Sequence, residues 1–157
     1  MEDTNKKFGF KYSIALFVAF LFVVFLVYLK TREYILPKAT IQFANETIKV
    51  EIAETPLSRT RGLKSHAPLA ENEGMLFLFS VADRHSFWMK DMKFPIDIVW
   101  FNQGRVVDIA PNVPISVTKD LPLYTPRLPS QSALELKAGF VERHGVKIGD
   151  PITLLTK

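Results

Sequence analysis

Between Gly74 and Phe101 the chain reads GMLFLFSVADRHSFWMKDMKFPIDIVWF, and this stretch limits the fold more than any other. It holds three short apolar runs, Met75–Phe79, Phe87–Met89 and Ile96–Phe101, separated by brief polar breaks. Runs of that length between polar breaks read as strands. Successive side chains of a strand point to opposite faces. That period sets His85, Phe87 and Met89 against Arg84, Ser86, Trp88 and Lys90. In the next run it sets Ile96, Ile98 and Trp100 against Asp97, Val99 and Phe101. Both tryptophans and three of the four methionines lie here, so the stretch reads as the core of a β domain with charges close to its largest aromatics.

The flanking sequence supplies further strands. Thr40–Phe43 and Thr47–Ile52 alternate around Ala44-Asn45-Glu46, which predicts a hairpin. Thr55-Pro56 is a helix entry, because the threonine hydroxyl caps and proline at the first position loses no needed N–H. The helix should run to about Leu63 and carry Arg59 and Arg61, with Gly62 weakening its last turn. His66 to Glu73 reads as a loop. Asn102-Gln103-Gly104 predicts a turn into a returning strand, Arg105–Ile109. Pro111 to Pro129 contains five of the ten prolines and reads as a long loop, either a cover for a sheet edge or a binding loop. Ser132–Leu136 is a strand with Glu135 opposite Leu134 and Leu136. Ala138–His144 should make a helical turn or two stopped by Gly145, with His144 at its end, and Ile152–Leu155 a last strand. The expected class is mainly β, a sandwich or partly open barrel with two short helices.

Before this domain stands Tyr12–Leu29, eighteen residues without a charge. As a helix it would span about 27 Å, near the roughly 30 Å of bilayer hydrocarbon. Tyr12 and Tyr28 near its ends suit the interface. The expectation is a tail over 1–11, one transmembrane helix over 12–29, a tether over 30–38 and a β domain over 39–157. A cleaved signal is the rival, but its apolar region would be shorter and followed by a small-x-small site, which LKTREYILPKAT lacks. Flanking charge hardly selects an orientation.

Composition excludes several classes. With no cysteine there is no disulfide, thiolate metal site or cysteine nucleophile. From Tyr34 onward 15 basic side chains face 13 acidic ones, no electrostatic footprint for nucleic acid. No phosphate-binding glycine loop or nucleophile elbow appears. His66, His85 and His144 have no ligand spacing, and Met75, Met89 and Met92 sit in or beside apolar runs, where packing accounts for them. No metal and no cofactor is expected.

The residues that could carry chemistry are Trp88, Lys90, Asp97 and Glu135, with Arg61 and Glu73 as neighbours. Asp97 shares its face with Val99 and Phe101, and a carboxylate there must be paired, hydrogen-bonded or turned into a cleft. One reading is a structural ion pair of Asp97 with Arg61 or Lys90. The other is a ligand face, with tryptophan as a stacking platform and charges around it for a sugar or another polar ligand. A hydrolase using Asp97 and Glu135 across a scissile bond is a further alternative.

RTRGLKSH, EGMLFLF, FWMKDMKFPIDIVWF and ALELKAGFVERHGVKIGD resemble, in order and spacing, the DUF192 (UPF0127) family, over about Ile41 to Leu154. The resemblance implies a mainly β fold like a small jelly-roll sandwich, often carried behind a signal sequence or lipid anchor, and so a domain outside the cytoplasm. Lys64 and His66 stand where the family tends to methionine and arginine. Asp91-Met92 replaces a usual Asn-Thr pair, and Phe140 stands where tryptophan is common. The family transfers no catalytic residue. The expected function is a membrane-anchored binding or accessory module for a polar cell-envelope ligand. The alternatives are the hydrolase and a structural partner domain for another membrane protein.

Overall fold

The computed structural model describes residues 3–32, 35–116 and 121–156, with side-chain surroundings for 14–28, 35–116 and 121–155. The chain forms two compact units, Met1–Ile35 and Leu36–Lys157. The first contains one helix, α1 (Asp3–Arg32), whose side chains from Ile14 to Tyr28 are all exposed. Among the described residues no helix is long and apolar enough to cross a membrane. The side chains of Tyr12, Ser13 and Leu29, the ends of the expected span, lie outside the described residues, as does most of the expected tail and tether.

The second unit runs β1 (Lys38–Phe43), β2 (Glu46–Ala53), α2 (Pro56–Arg61), β3 (Glu73–Asp83), β4 (Phe87–Trp88), β5 (Ile96–Asn102), β6 (Arg105–Val113), β7 (Leu123–Tyr124), β8 (Ser130–Lys137), α3 (Phe140–Arg143) and β9 (Ile152–Thr156). Seven strands make one sheet in the order β6-β5-β8-β3-β2-β1-β9, and β4 pairs with β7 as a separate ribbon. β1 and β2 turn through Ala44 and Asn45 at φ 52° and 64°, the left-handed pair that a two-residue hairpin matched to strand twist requires. β2 and β3 are parallel, so the chain crosses over between them through α2. Thr55 caps α2 as expected, and Ser58 returns the bond in a capping box.

Of the two expected forms the sandwich is corrected and the partly open barrel is found: a single sheet curls on itself as a half-barrel. Its edges meet where the Val106 N–H donates to the Asp150 carbonyl and the Ile152 N–H to the Gly104 carbonyl, both at 2.9 Å. Register shifts within β1–β9, β3–β8 and β5–β6 bend the strands toward that closure. The curl brings β1 and β5, which have three strands between them in the sheet order, into contact, with the Phe43 and Phe101 rings 5.2 Å apart edge to face. Ile41, Ile48, Val50, Val99, Leu134 and Leu136 fill this inner core, and Phe140 closes it from α3. The opposite face presents Met75, Phe77, Ile98, Trp100 and Ala133, covered by Leu63, Phe87, Met89 and Phe94. The predicted alternation therefore holds: Phe87 and Met89 are buried while Trp88 and Lys90 are exposed.

The proline-rich segment differs in part from a loop. β6 continues through Pro111 to Val113, which proline tolerates because β6 is an edge strand. Further on, β7 pairs with β4, and Arg127 grips Asp108 through its backbone N–H at 2.6 Å and its guanidinium at 2.6 and 2.9 Å. Burial alone would raise the Asp108 carboxyl, but the Arg127 bonds and charge outweigh it and hold the group below its ordinary value. Residues 117–120 lie outside the described ones. Arg143 on α3 is exposed and bonds Glu71 at 2.6 and 2.8 Å. His144 ends α3 as expected and stacks on Phe140 at 4.2 Å.

Gly74 on β3 marks a close approach, since a Cβ there would lie 2.8 Å from the Glu135 carbonyl oxygen and 3.1 Å from Leu136. The first is a backbone atom of the central β8 ladder, which cannot retreat without breaking hydrogen bonds, and the second is a side-chain methyl packed beside it. Gly74→Ala should cost about 2–3 kcal/mol, in the range of overpacked core substitutions. A urea denaturation midpoint compared with the parent chain measures it.

Candidate functional site

Asp97 lies on the inner face of the sheet and is completely buried. Its Oδ1 accepts from the backbone N–H of Asn112 at 2.7 Å and of Gly139 at 3.1 Å, and its Oδ2 from the N–H of Val141 at 2.7 Å. Gly139 is the N-cap of α3 and has no side chain with which to cap it. Asp97 supplies the missing cap from another strand, and the same carboxylate fastens the end of β6. The expected ion pair with Arg61 or Lys90 is thus corrected, because backbone N–H groups hold this carboxylate. Those two cations line a cavity on the other face.

Glu135 follows Leu134 and precedes Leu136 on β8, so the strand period turns it away from Asp97. It lies opposite Met75 on β3 and Ile98 on β5, both on the outer face. Two carboxylates on opposite faces of one sheet cannot flank a single bond, so the hydrolase pairing of Asp97 with Glu135 fails on geometry.

The outer face opens into a cavity of about 240 Å³. Arg61, Trp88, Lys90 and Glu135, four of the six residues named from sequence, line it together. Trp88 is 47 % exposed at the rim, because β4 is a covering strand with only its alternate residues packed inward. The Lys90 ammonium lies over the Trp88 ring, 5.8 Å from its centre. Asp91, next to Lys90, takes φ 60°, a left-handed conformation in which Asn and Asp are enriched among non-glycine residues. That backbone accommodates the aspartate where the family usually has asparagine, and the following Met92 lines the cavity.

Sequence reasoning missed Arg59 and Lys64 in this cavity wall. The signal was RTRGLK, three cations in six residues at the end of α2, a pattern that a favourable interaction with the helix dipole also explains. Arg59 is committed to the fold. Its guanidinium donates to the Glu54 and Leu78 carbonyls at 2.7 and 2.9 Å and lies over Phe79 at 5.3 Å. Its charge remains at the cavity all the same.

Glu135 is the chemically unusual member. The residue is 5 % exposed, and its Oε2 has no hydrogen-bond partner among the described residues. Burial pushes its carboxyl up to about 8, so the protonated acid predominates at neutral pH. A buried polar atom without a partner costs about 1–3 kcal/mol and calls for an explanation.

Glu73 is not part of this cavity. It is exposed, accepts from the Ala70 N–H at 3.1 Å and lines a second cavity of about 280 Å³ with Lys38, Glu51 and His66. There His66 Nε2 lies 2.9 Å from Glu51. Among the described residues no group of three or more His, Asp or Glu side chains could hold a metal ion.

Comparison with known proteins supports the same domain. A structure of a protein of unknown function from Novosphingobium aromaticivorans is 29% identical, with TM-score 0.65, covering 74% of this chain and 84% of that one. A Sinorhizobium meliloti protein, provisionally described as a transcription regulator, is 29% identical with TM-score 0.67, covering 76% and 95%. No protein of curated function matches. The DUF192 family, described as "Uncharacterized ACR", matches residues 39–154, and the chain belongs to that family.

Proposed function

We propose that the chain is a membrane-tethered module whose β domain binds a small polar ligand in the Trp88 cavity, outside the cytoplasm. One observation carries the binding reading: a buried, unpartnered carboxyl oxygen of Glu135 in the wall of a cavity that has an exposed tryptophan at its rim. Structural carboxylates are expected to be satisfied, as Asp97 is, and an unsatisfied one beside open space suits a ligand group. The volume falls below the roughly 300–1,000 Å³ of drug-sized sites, which favours a ligand of one ring. The tether rests on the fifteen-residue stretch Ile14–Tyr28, apolar and exposed on every side, within the longer charge-free run of the sequence.

The balanced charge of the domain favours this reading over nucleic-acid binding of the kind suggested by the Sinorhizobium meliloti description. A protein-partner role would draw on the exposed Ile115, Leu123 and Leu128 of the proline-rich segment.

Trp88→Ala tests the binding module. Trp88 contributes little to the core, so the melting temperature should stay within about 2 °C, as for exposed substitutions. Affinity for a ring-bearing ligand should fall about tenfold, in line with roughly 1.5 kcal/mol for a lost aromatic contact. Unchanged affinity in calorimetric titration would remove Trp88 from the site. Protease digestion of intact cells tests the location: the domain should be cleaved from outside, and protection would contradict it.

A further inference from the structure

Glu135 and Trp88 narrow the ligand beyond one small polar ring. The cations of the cavity wall are engaged within the protein. Arg59 is held by two backbone carbonyls and the Phe79 face, and the Lys90 ammonium lies over Trp88. Arg61 has an interaction of its own as well. Charge at the rim therefore does not call for an anion, and the choice falls to the buried carboxyl and the exposed indole.

The unpartnered Oε2 of Glu135 sits between Met75 and Ile98 of the neighbouring strands, in a wall shared with the Phe77, Phe79 and Phe87 rings. Burying a full charge against such a wall is costly, so the group seated there is uncharged. An anionic oxygen only accepts and pairs only with the protonated acid. An ammonium only donates and pairs only with the carboxylate. A hydroxyl does both and satisfies Glu135 in either state. The remaining lining mixes apolar rings with Thr60 and Ser86, which suits a ligand polar around its edge and apolar on its face. Trp88 keeps 47 % of its surface exposed, enough to meet such a face. Resting on the binding reading above, we infer that the cavity takes a neutral, multiply hydroxylated ring, a monosaccharide or a cyclitol. One hydroxyl bonds the Glu135 carboxyl, and the C–H face of the ring lies against Trp88.

Calorimetric titration of the full chain in micelles of a sugar-free detergent separates the chemistries. The neutral probes are D-glucose, D-galactose, D-mannose and myo-inositol. D-glucuronate and D-glucosamine add a charge to the same ring, and nicotinamide is a polar ring without hydroxyls. At least one neutral probe should bind about tenfold more tightly than the charged rings and nicotinamide, the difference of one well-made buried contact. Glu135→Leu removes donor and acceptor together and should weaken that probe about tenfold, whereas Glu135→Gln keeps both and should hold it within about threefold. Monodeoxy forms of the bound ring read the same contact from the ligand side, without altering the protein. Loss of one particular hydroxyl should cost about tenfold.

A charged ring or nicotinamide binding as tightly as every neutral probe, with that binding lost in Trp88→Ala, would overturn the neutral ring and leave the binding module standing. Equal affinity of the parent and Glu135→Leu, or of all the monodeoxy forms, would overturn the contact with Glu135. If no probe binds, or Trp88→Ala changes nothing, both the inference and the binding reading fall.

Discussion

Asp97→Ala should unfold the β domain or come close to it. The substitution leaves three backbone N–H groups, those of Asn112, Gly139 and Val141, without the acceptor they share. Each buried donor left unpaired costs about 1–3 kcal/mol, so a loss of about 4 kcal/mol or more is expected. That is a large fraction of the roughly 5–15 kcal/mol that holds a domain of this size. α3 would lose its only side-chain cap in the same step, since Gly139 cannot replace it. Asp97→Asn keeps one carbonyl acceptor and turns an amide toward donors, so it should fall between alanine and the parent. Urea unfolding followed by far-UV circular dichroism orders the three chains.

Glu135→Gln should act in the opposite direction and depend on pH. The glutamate titrates near 4.5 when unfolded and at about 8 in the fold. Between those values the folded chain keeps a proton that the unfolded chain has released. Stability therefore falls as pH rises through that window. The contribution is fully present below pH 4.5 and gone above pH 8, a difference of roughly 4–5 kcal/mol at most. Glutamine has no proton to lose and escapes this decline. Its advantage over the parent should be smallest near pH 4.5, grow toward pH 8 and level off beyond. The amide brings an extra donor of its own, an offset that does not vary with pH, so the slope is the diagnostic. Denaturation midpoints of both chains at pH 5, 6.5 and 8 give it directly.

The contrast between these two carboxylates was half legible in the sequence. The strand period sends Asp97 and Glu135 to faces that can be read from Val99, Phe101, Leu134 and Leu136. What each meets there cannot be read, because the partners are distant along the chain. Asp97 is held by groups 15, 42 and 44 residues away, and they are backbone amides that any residue type supplies. Trp88 and Lys90 were legible as a pair because alternation alone exposes them. Arg61 joined them through the crossover between β2 and β3, and Lys64 came with it unannounced.

The fold shows the same division. Hairpins and the Thr55 cap are local and were read from a few residues each. The choice between a sandwich and one curled sheet depends on β9 returning to β1 and meeting β6, a closure that periodicity does not carry. Pro111 illustrates the point. Proline argues against a central strand, and only the sheet order reveals that β6 is an edge.

The central claim is that the cavity binds a ligand while the inner carboxylate holds the fold. Amide chemical-shift mapping of the isotopically labelled full chain, titrated with neutral and acidic monosaccharides at pH 7, tests it most directly. The account predicts shifts gathered on residues 59–64, 86–92 and Glu135, saturating together, with Asp97 and its Asn112 and Val141 partners unmoved. Shifts gathered around His66 and Glu73, or none anywhere on the β domain, would contradict it.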